Sequence, residues 1–392
     1  MENHKHKIML LANSDWYLYN FRLPLARAIK NIGVDVVLVS PPGAYSKEFV
    51  KQELRWIPWP LKRRSLNPFA EAIAIFRLLM IYVKEAPDLV HHFTLKCIIY
   101  GSIAAWLSGI RYRVNAFVGM GYLFSHHDAI TILFRKIVSI LIKISMANSA
   151  SVVIVQNRRD YQTVVQEKWI AEDKVRLIRG SGINVHSIQP VLRNRRDSNK
   201  IFKVLMATRL LREKGVEEYV AAARILKREI PAIEFTLAGD FDDGNPGCLC
   251  EQNIREWQDH GAIKFIGHQD NMMTLMHESD VVVLPSYREG LPKILLEAAA
   301  CALPIIATDI PGCNDVVEDG VNGLLIPVRD VPALVRAIQY LYQNSQKRSD
   351  MGIAGRKKVM AEFDQAFVIR QTFDAYGLFF PNLFEVSKEV RV

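Results

Sequence analysis

The sequence predicts an α/β protein of two domains, each a parallel β-sheet covered by helices on both faces. Three observations carry this. A chain of 392 residues is too long for one typical core and fits two domains of about 150–200 residues. Half of the residues are hydrophobic and 23% are charged, a balance that describes a folded globular protein and excludes a disordered or fibrous one. Short β-branched runs alternate with longer helical patterns from one end to the other, as in strands joined by crossover helices.

In the first half, strands are expected to begin near Ile8, Val34, Leu89, Arg113, Ser151 and Val175. In the second they begin near Phe202, Glu234, Ile263, Asp280, Pro304 and Gly323. Between the two sets lie Gly180-Ser181-Gly182 and the polar, basic stretch Arg193 to Lys200. This shift places the boundary near residue 185, giving domains 1–185 and 186–364. Asn67 is a good N-cap and Pro68 a good first helical residue, with Phe69, Ile73, Phe76, Met80 and Val83 recurring at helical spacing until Pro87 stops the helix. A second helix, Asp128 to Ser145, gathers Ile130, Leu133, Phe134, Ile137, Leu141 and Ile144 on one side, and Arg135, Lys136, Ser139 and Lys143 mostly on another. Packing on its own sheet accounts for that pattern, and lying on an anionic membrane is the alternative.

Charge is distributed unevenly. Residues 1–190 hold 25 Lys and Arg against 13 Asp and Glu, net +12, and the remainder 25 against 28, net −3. The first half is therefore suited to an anionic partner such as phosphate, acidic lipid or nucleic acid, the alternative being ordinary solvated lysines. Cys97, Cys248, Cys250, Cys301 and Cys313 form neither a C-x-x-C pair nor a zinc-ligand spacing, which points to a reducing cytoplasm. The first apolar run, Ile8 to Ala12, is too short for a signal-peptide core, and the longest mainly apolar stretch, Cys97 to Ile110, is shorter than the roughly 20 residues of a membrane span. Membrane contact, if made, is peripheral.

The motif richest in chemistry is residues 285–308, PSYREGLPKILLEAAACALPIIAT. A strand ends, a loop carries Glu289 and Gly290, and a helix opens at about Pro292. Ligands of open parallel sheets sit beyond the carboxyl ends of the strands, where this loop lies. Gly290 allows close backbone approach, and the first helical turn presents its positive dipole end to a diphosphate. Glu297 lies roughly 7.5 Å further along the helix axis at 1.5 Å per residue. Two acids at the spacing E-x7-E thus bracket a diphosphate flanked by hydroxyl groups, the shape of a nucleotide sugar. For two glutamates alone, a loop acid followed by an exposed helical acid is the simpler account; the G-x-P and the apolar strand after the helix weaken it.

With these residues the chain resembles the family 4 glycosyltransferases, a retaining family with the GT-B fold of two Rossmann-like domains facing a cleft, over almost its whole length. The resemblance implies that Glu289 holds the transferred sugar, that Glu297 holds the ribose, and that the backbone at Gly290, Leu291 and Pro292 lies along the distal phosphate. Ala207-Thr208-Arg209-Leu210-Leu211-Arg212-Glu213-Lys214-Gly215 is similar to the family's G-R-x4-K-G, with Thr208 where glycine is usual. Arg209 and Lys214 would clamp the diphosphate and neutralise the leaving phosphate. His268, in Gly267-His268-Gln269-Asp270-Asn271, stands where the family holds the base, with ordinary turn chemistry as the alternative. The family uses neither a cofactor nor a metal, so the D-x-D at Asp240 and Asp242 is set aside as a metal motif. The closing helical pattern, about 365–392, would pack back on the first domain.

In the first domain Asn20-Phe21-Arg22, His91 to Lys96 and Gly119-Met120-Gly121-Tyr122 fall after strands. They resemble a subgroup that extends sugars on polyprenyl diphosphate, making Arg22 and Lys96 candidate contacts for an acceptor phosphate and His91 and His92 packing residues. Many family members carry a histidine near the Gly119 loop; here the region reads Asn115-Ala116-Phe117-Val118-Gly119, and its role is not transferred. The expected reaction moves a hexose or N-acetylhexosamine from a nucleoside-diphosphate sugar, UDP-linked by expectation, to a lipid-linked sugar with retention. In the family the departing phosphate is proposed to take the acceptor proton. The enzyme is expected at the inner face of the cell membrane, bound peripherally through basic residues that include Lys62-Arg63-Arg64, and without a nucleic-acid partner. A nicotinamide oxidoreductase is disfavoured because no G-x-G-x-x-G follows the first strand. A nucleotide-sugar epimerase shares the architecture but needs no acceptor; a non-catalytic membrane scaffold would lack the acids and cations.

Overall fold

The computed structural model describes residues 5–62, 65, 67–118, 129–146, 150–190, 201–242 and 244–384. The chain divides into two compact units: the first runs to Ser181 and resumes at Gln365, and the second is Gly182–Asp364.

The first unit is built on a parallel sheet of seven strands in the order β3-β2-β1-β4-β5-β6-β7. These are β1 (Lys7–Leu11), β2 (Asp35–Ser40), β3 (Arg55–Pro58), β4 (Leu89–Phe93), β5 (Tyr112–Phe117), β6 (Ala150–Val155) and β7 (Val175–Leu177). Alternation of side chains sorts the core into two layers. Ile8, Leu10, Val36, Leu38, Val114 and Ala116 pack against α1 (Leu23–Asn31), and against Val368, Ile369, Phe373 and Tyr376 of the helix Gln365–Gly377. Met9, Leu11, Val37, Val39 and Val90 face the opposite way, onto α2 (Pro68–Glu85) and α3 (Leu95–Leu107). Val153 and Val155 face α3 and α4 (Ala129–Met146). The Asn67 side chain accepts from the backbone N–H groups of Phe69 and Ala70 and so starts α2 as its N-cap.

The second unit has six parallel strands in the order β10-β9-β8-β11-β12-β13. They are β8 (Phe202–Ala207), β9 (Ile233–Ala238), β10 (Lys264–Phe265), β11 (Val281–Leu284), β12 (Ile305–Thr308) and β13 (Gly323–Ile326). Val204, Met206, Phe235 and Leu237 pack on α5 (Val216–Glu229), while Leu205, Val282, Leu284, Ile305 and Ala307 pack on α6 (Lys293–Ala300). In both sheets the chain starts in the middle, builds to one edge and returns to the other side of its first strand. The reversal leaves a crevice at the carboxyl ends of β1 and β4, and of β8 and β11.

Twelve of these strands begin within one residue of the expected positions. The thirteenth, β3, was not foreseen: its sequence Arg-Trp-Ile-Pro ends in a proline and pairs on one side only, as an edge strand can. The helix expected at Asp128–Ser145 is α4, but its inner side differs from the apolar side expected to face the sheet. Val138, Ile142 and Met146 are buried, and Ile137, Leu141 and Ile144 are exposed. Ser139, expected on the polar side, is also buried, where its hydroxyl accepts from the Trp169 indole N–H at 2.7 Å. Arg63, Arg64, the Gly119–Tyr122 loop, Asp128, Arg193–Lys200 and the chain beyond Phe384 lie outside the described residues, as do the side chains of Ile130, Leu133 and Phe134.

Candidate active site

The crevice between β8 and β11 brings together the two motifs singled out in the second half. After β8 the chain makes a 3-10 turn, Arg212–Lys214, and Gly215 then takes φ +73°. A Cβ on Gly215 would run into the Pro285 carbonyl, so glycine is required both for the backbone conformation and for the approach of the β11 loop. The contact is fixed by the Tyr287 N–H donating to the Glu213 carbonyl at 2.8 Å and by an Arg288–Glu213 ion pair. Seventy-five residues apart in sequence, Lys214 Nζ and Glu289 Oε1 lie 2.6 Å apart, with side chains 11% and 12% exposed. Gly312 holds the other side of the loop, since a Cβ there would strike the Gly290 carbonyl. Thr208 keeps an ordinary negative φ, and its close neighbour is Gly239, where a Cβ would meet the Thr208 carbonyl.

Two more of the expected residues, Arg209 and His268, are held by acids. Arg209 Nη1 donates to Asp242 Oδ2 at 2.7 Å, and that oxygen also accepts from Asn245 Nδ2 at 3.0 Å. His268 Nδ1 lies 2.7 Å from Asp240 Oδ2, and its Nε2 lies 3.3 Å from Asp270 Oδ1. Both acids of the D-x-D thus pair with basic residues, Arg209 and His268. Sequence spacing gave no sign of these pairings, which span loops from different strands. Pro292 is the N-cap of α6, and Leu291 packs against the core beneath it. Glu297, on the second turn of α6, lies 3.3 Å from Lys293 Nζ. Burial pushes its carboxyl above the usual carboxylate range, with the Lys293 charge and hydrogen bond acting against the shift.

In the first unit, a π turn at Leu18–Arg22 leads into α1 and ends with Arg22 buried. Its Nε and Nη2 donate to the Tyr17 hydroxyl at 3.0 and 2.7 Å, and the guanidinium lies 4.4 Å from the centre of the Phe93 ring at the carboxyl end of β4. Among the described residues no carboxylate pairs with it. Thr94, between β4 and α3, is held at φ +74°, a strained conformation for a β-branched residue. His91 Nδ1 lies 2.6 Å from the Tyr376 hydroxyl, and His92 bridges the Tyr82 hydroxyl and Asn115 Oδ1 at 3.0 and 2.7 Å. Burial lowers both histidine pKa values, that of His92 to about 3, leaving neutral rings. Lys96 directs its ammonium to Glu71 Oε1 at 2.9 Å and to the carbonyls of Lys62 and Ser65 at 3.0 Å. Its three donors are thereby occupied in tying α3 to the start of α2. The Gly119–Tyr122 loop lies outside the described residues.

The profile of the glycosyl transferase 4-like family matches residues 7–157, and that of the glycosyl transferases group 1 family matches residues 191–358. The N,N'-diacetylbacillosaminyl-diphospho-undecaprenol alpha-1,3-N-acetylgalactosaminyltransferase of Campylobacter jejuni is 25% identical over 96% of this chain and all of its own length. The UDP-Gal:alpha-D-GlcNAc-diphosphoundecaprenol alpha-1,3-galactosyltransferase of Escherichia coli is 23% identical over 79% of this chain and 80% of its own. Among solved structures, an Anabaena protein crystallised with UDP and glucose superposes with a TM-score of 0.75 at 20% identity, covering 95% of this chain and 99% of its own, which establishes the shared GT-B fold. With a 4-like domain followed by a group 1 domain whose motif cations and acids meet at the strand reversal, the chain belongs to the family 4 glycosyltransferases.

Proposed function

We propose that this glycosyltransferase is retaining and metal-independent, and that it moves a hexose or N-acetylhexosamine from UDP to a sugar carried on polyprenyl diphosphate during cell-surface polysaccharide assembly. The observation that carries the reading is the Lys214–Glu289 pair at the β8/β11 crevice, with Arg209 held by Asp242 beyond β8 and Glu297 further along α6. A donor entering there exchanges partners with the protein. Its diphosphate takes Lys214 and Arg209 from Glu289 and Asp242, and the released Glu289 accepts hydrogen bonds from the sugar hydroxyls. Glu297 accepts from the ribose. In the reaction the bond between the anomeric carbon and the distal phosphate oxygen breaks, and one to the acceptor oxygen forms on the same face. The acceptor proton passes to the departing phosphate, whose charge the two cations stabilise. Arg22, a buried cation with no carboxylate partner among the described residues, suits the acceptor phosphate. The names of the two relatives support a lipid-linked acceptor, and with it peripheral binding at the inner face of a membrane.

The test is mass spectrometry of products from a panel of nucleotide sugars with short polyprenyl-diphosphate-linked acceptors, with the anomeric configuration read by NMR. One hexose or N-acetylhexosamine added with retained configuration is the expected result. Inversion, or conversion of the donor without any acceptor, would refute it; the latter would indicate an epimerase.

A further inference from the structure

We infer that the outward surface of the α2, α3 and α4 layer is the membrane-docking face of this protein, and that it binds by inserting apolar side chains as well as by charge. The inference takes its partner from the lipid-linked acceptor proposed above and its location from the exposure of the residues themselves.

Helix α2 packs inward through Ala74, Leu78, Tyr82 and Glu85, which leaves Phe69, Ile73, Phe76, Met80 and Val83 along its solvent side. They recur every three or four residues over the full length of the helix, and Phe69 and Phe76 are 83% and 60% exposed. Single exposed apolar residues need no explanation, but a continuous stripe does. Helix α3 packs between α2 and α4 and exposes Trp106 and Leu107 at its end. Helix α4 adds Ile137, Ile140, Leu141 and Ile144. Trp106 is 65% exposed, and indole rings favour the boundary between lipid and water.

Among the described residues of these three helices the exposed charges are of one sign: Arg77, Lys84, Lys136 and Lys143. The acids of α2 turn away: Glu71 binds Lys96 and Tyr100, and Glu85 binds Lys7 and Arg55. Neither α3 nor α4 contains an acid. An apolar stripe flanked by cations fits the anionic surface of a bilayer. A second copy docking through the same patch would bring cation against cation. No helix among the described residues is long and apolar enough to cross the membrane, so α2 would lie in the interface, about 27 Å long at 1.5 Å per residue.

The experiment is flotation of the full chain with phosphatidylglycerol-containing or pure phosphatidylcholine vesicles at low and molar salt. Expected is binding that is stronger on anionic vesicles and partly retained at molar salt. The Phe69→Ser/Phe76→Ser variant should lower the partition coefficient at least about tenfold while its melting temperature and its transfer to a water-soluble acceptor stay unchanged. Complete release by salt, or native-like binding of the variant, would overturn the insertion. A native dimer in vesicle-free solution that the variant converts to monomer would assign the face to a second copy instead. Vesicle binding lost only in the variant, with no transfer by either protein to a lipid-linked acceptor, would support this face and refute the acceptor reading.

Discussion

Replacing Lys214 by methionine tests whether the ligand-free protein stores its catalytic groups as an ion pair that the donor must open. The charges are 2.6 Å apart and their side chains are about nine-tenths buried. At an effective dielectric constant of about 20 their gross attraction is about 6 kcal/mol. Desolvation of both groups takes back much of it, leaving a coupling of roughly 1.5–3 kcal/mol. The assay is a double-mutant cycle of Lys214→Met, Glu289→Gln and the pair, measured by urea unfolding of the ligand-free chain. Lys214→Met alone should be the most destabilising, because it leaves a carboxylate without its partner, and the double variant should be less destabilised than the sum. Turnover should behave differently: loss of the phosphate cation lowers kcat about 100- to 1000-fold, and the second substitution should restore stability without restoring activity. Additivity within about 0.5 kcal/mol would refute the pairing and the partner exchange built on it.

Glu297→Gln should weaken UDP binding about tenfold by titration calorimetry, a loss of about 1.4 kcal/mol, while raising the melting temperature at pH 7. Because burial raises the pKa above the ordinary 4.5, native stability is full below that value and falls as pH rises through the shifted one. The advantage of the variant should therefore vanish below about pH 4.5, and an unchanged or lower melting temperature at pH 7 would refute the buried-carboxylate account. His91 and His92 have the opposite sign. Their depressed pKa values give stability that is present above 6.5 and is lost as pH falls, by up to about 1.4 kcal/mol per pH unit for each ring. Unfolding free energies that stay flat from pH 6.5 to 5 would show that the rings are not held neutral. Activity is expected to survive EDTA; complete loss restored by manganese would return Asp240 and Asp242 to consideration as metal ligands.

Strand positions were legible because period-two burial and β-branched runs are local properties, and β3 was missed because a short edge strand ending in proline carries little of either signal. The site motifs were legible for a similar reason: E-x7-E joins a loop acid to a helical acid at a spacing that chain geometry fixes. Partners were not legible. That Lys214 meets Glu289, that Asp242 holds Arg209, and that Lys96 is taken up by Glu71 are decided by which loops the strand order brings together, with sequence separations of 75, 33 and 25 residues. The orientation of the α2 and α4 stripes was likewise undecided, since helical periodicity shows that one side is apolar but not which side meets the sheet. On α4, among the described side chains, Val138, Ile142 and Met146 face the core, and Ile137, Ile140, Leu141 and Ile144 face outward. The sequence alone determined every strand but β3, the family resemblance and the chemical groups available. Only the tertiary structure decided which charges neutralise one another and which apolar surface stays uncovered, because both depend on contacts between segments far apart in the chain.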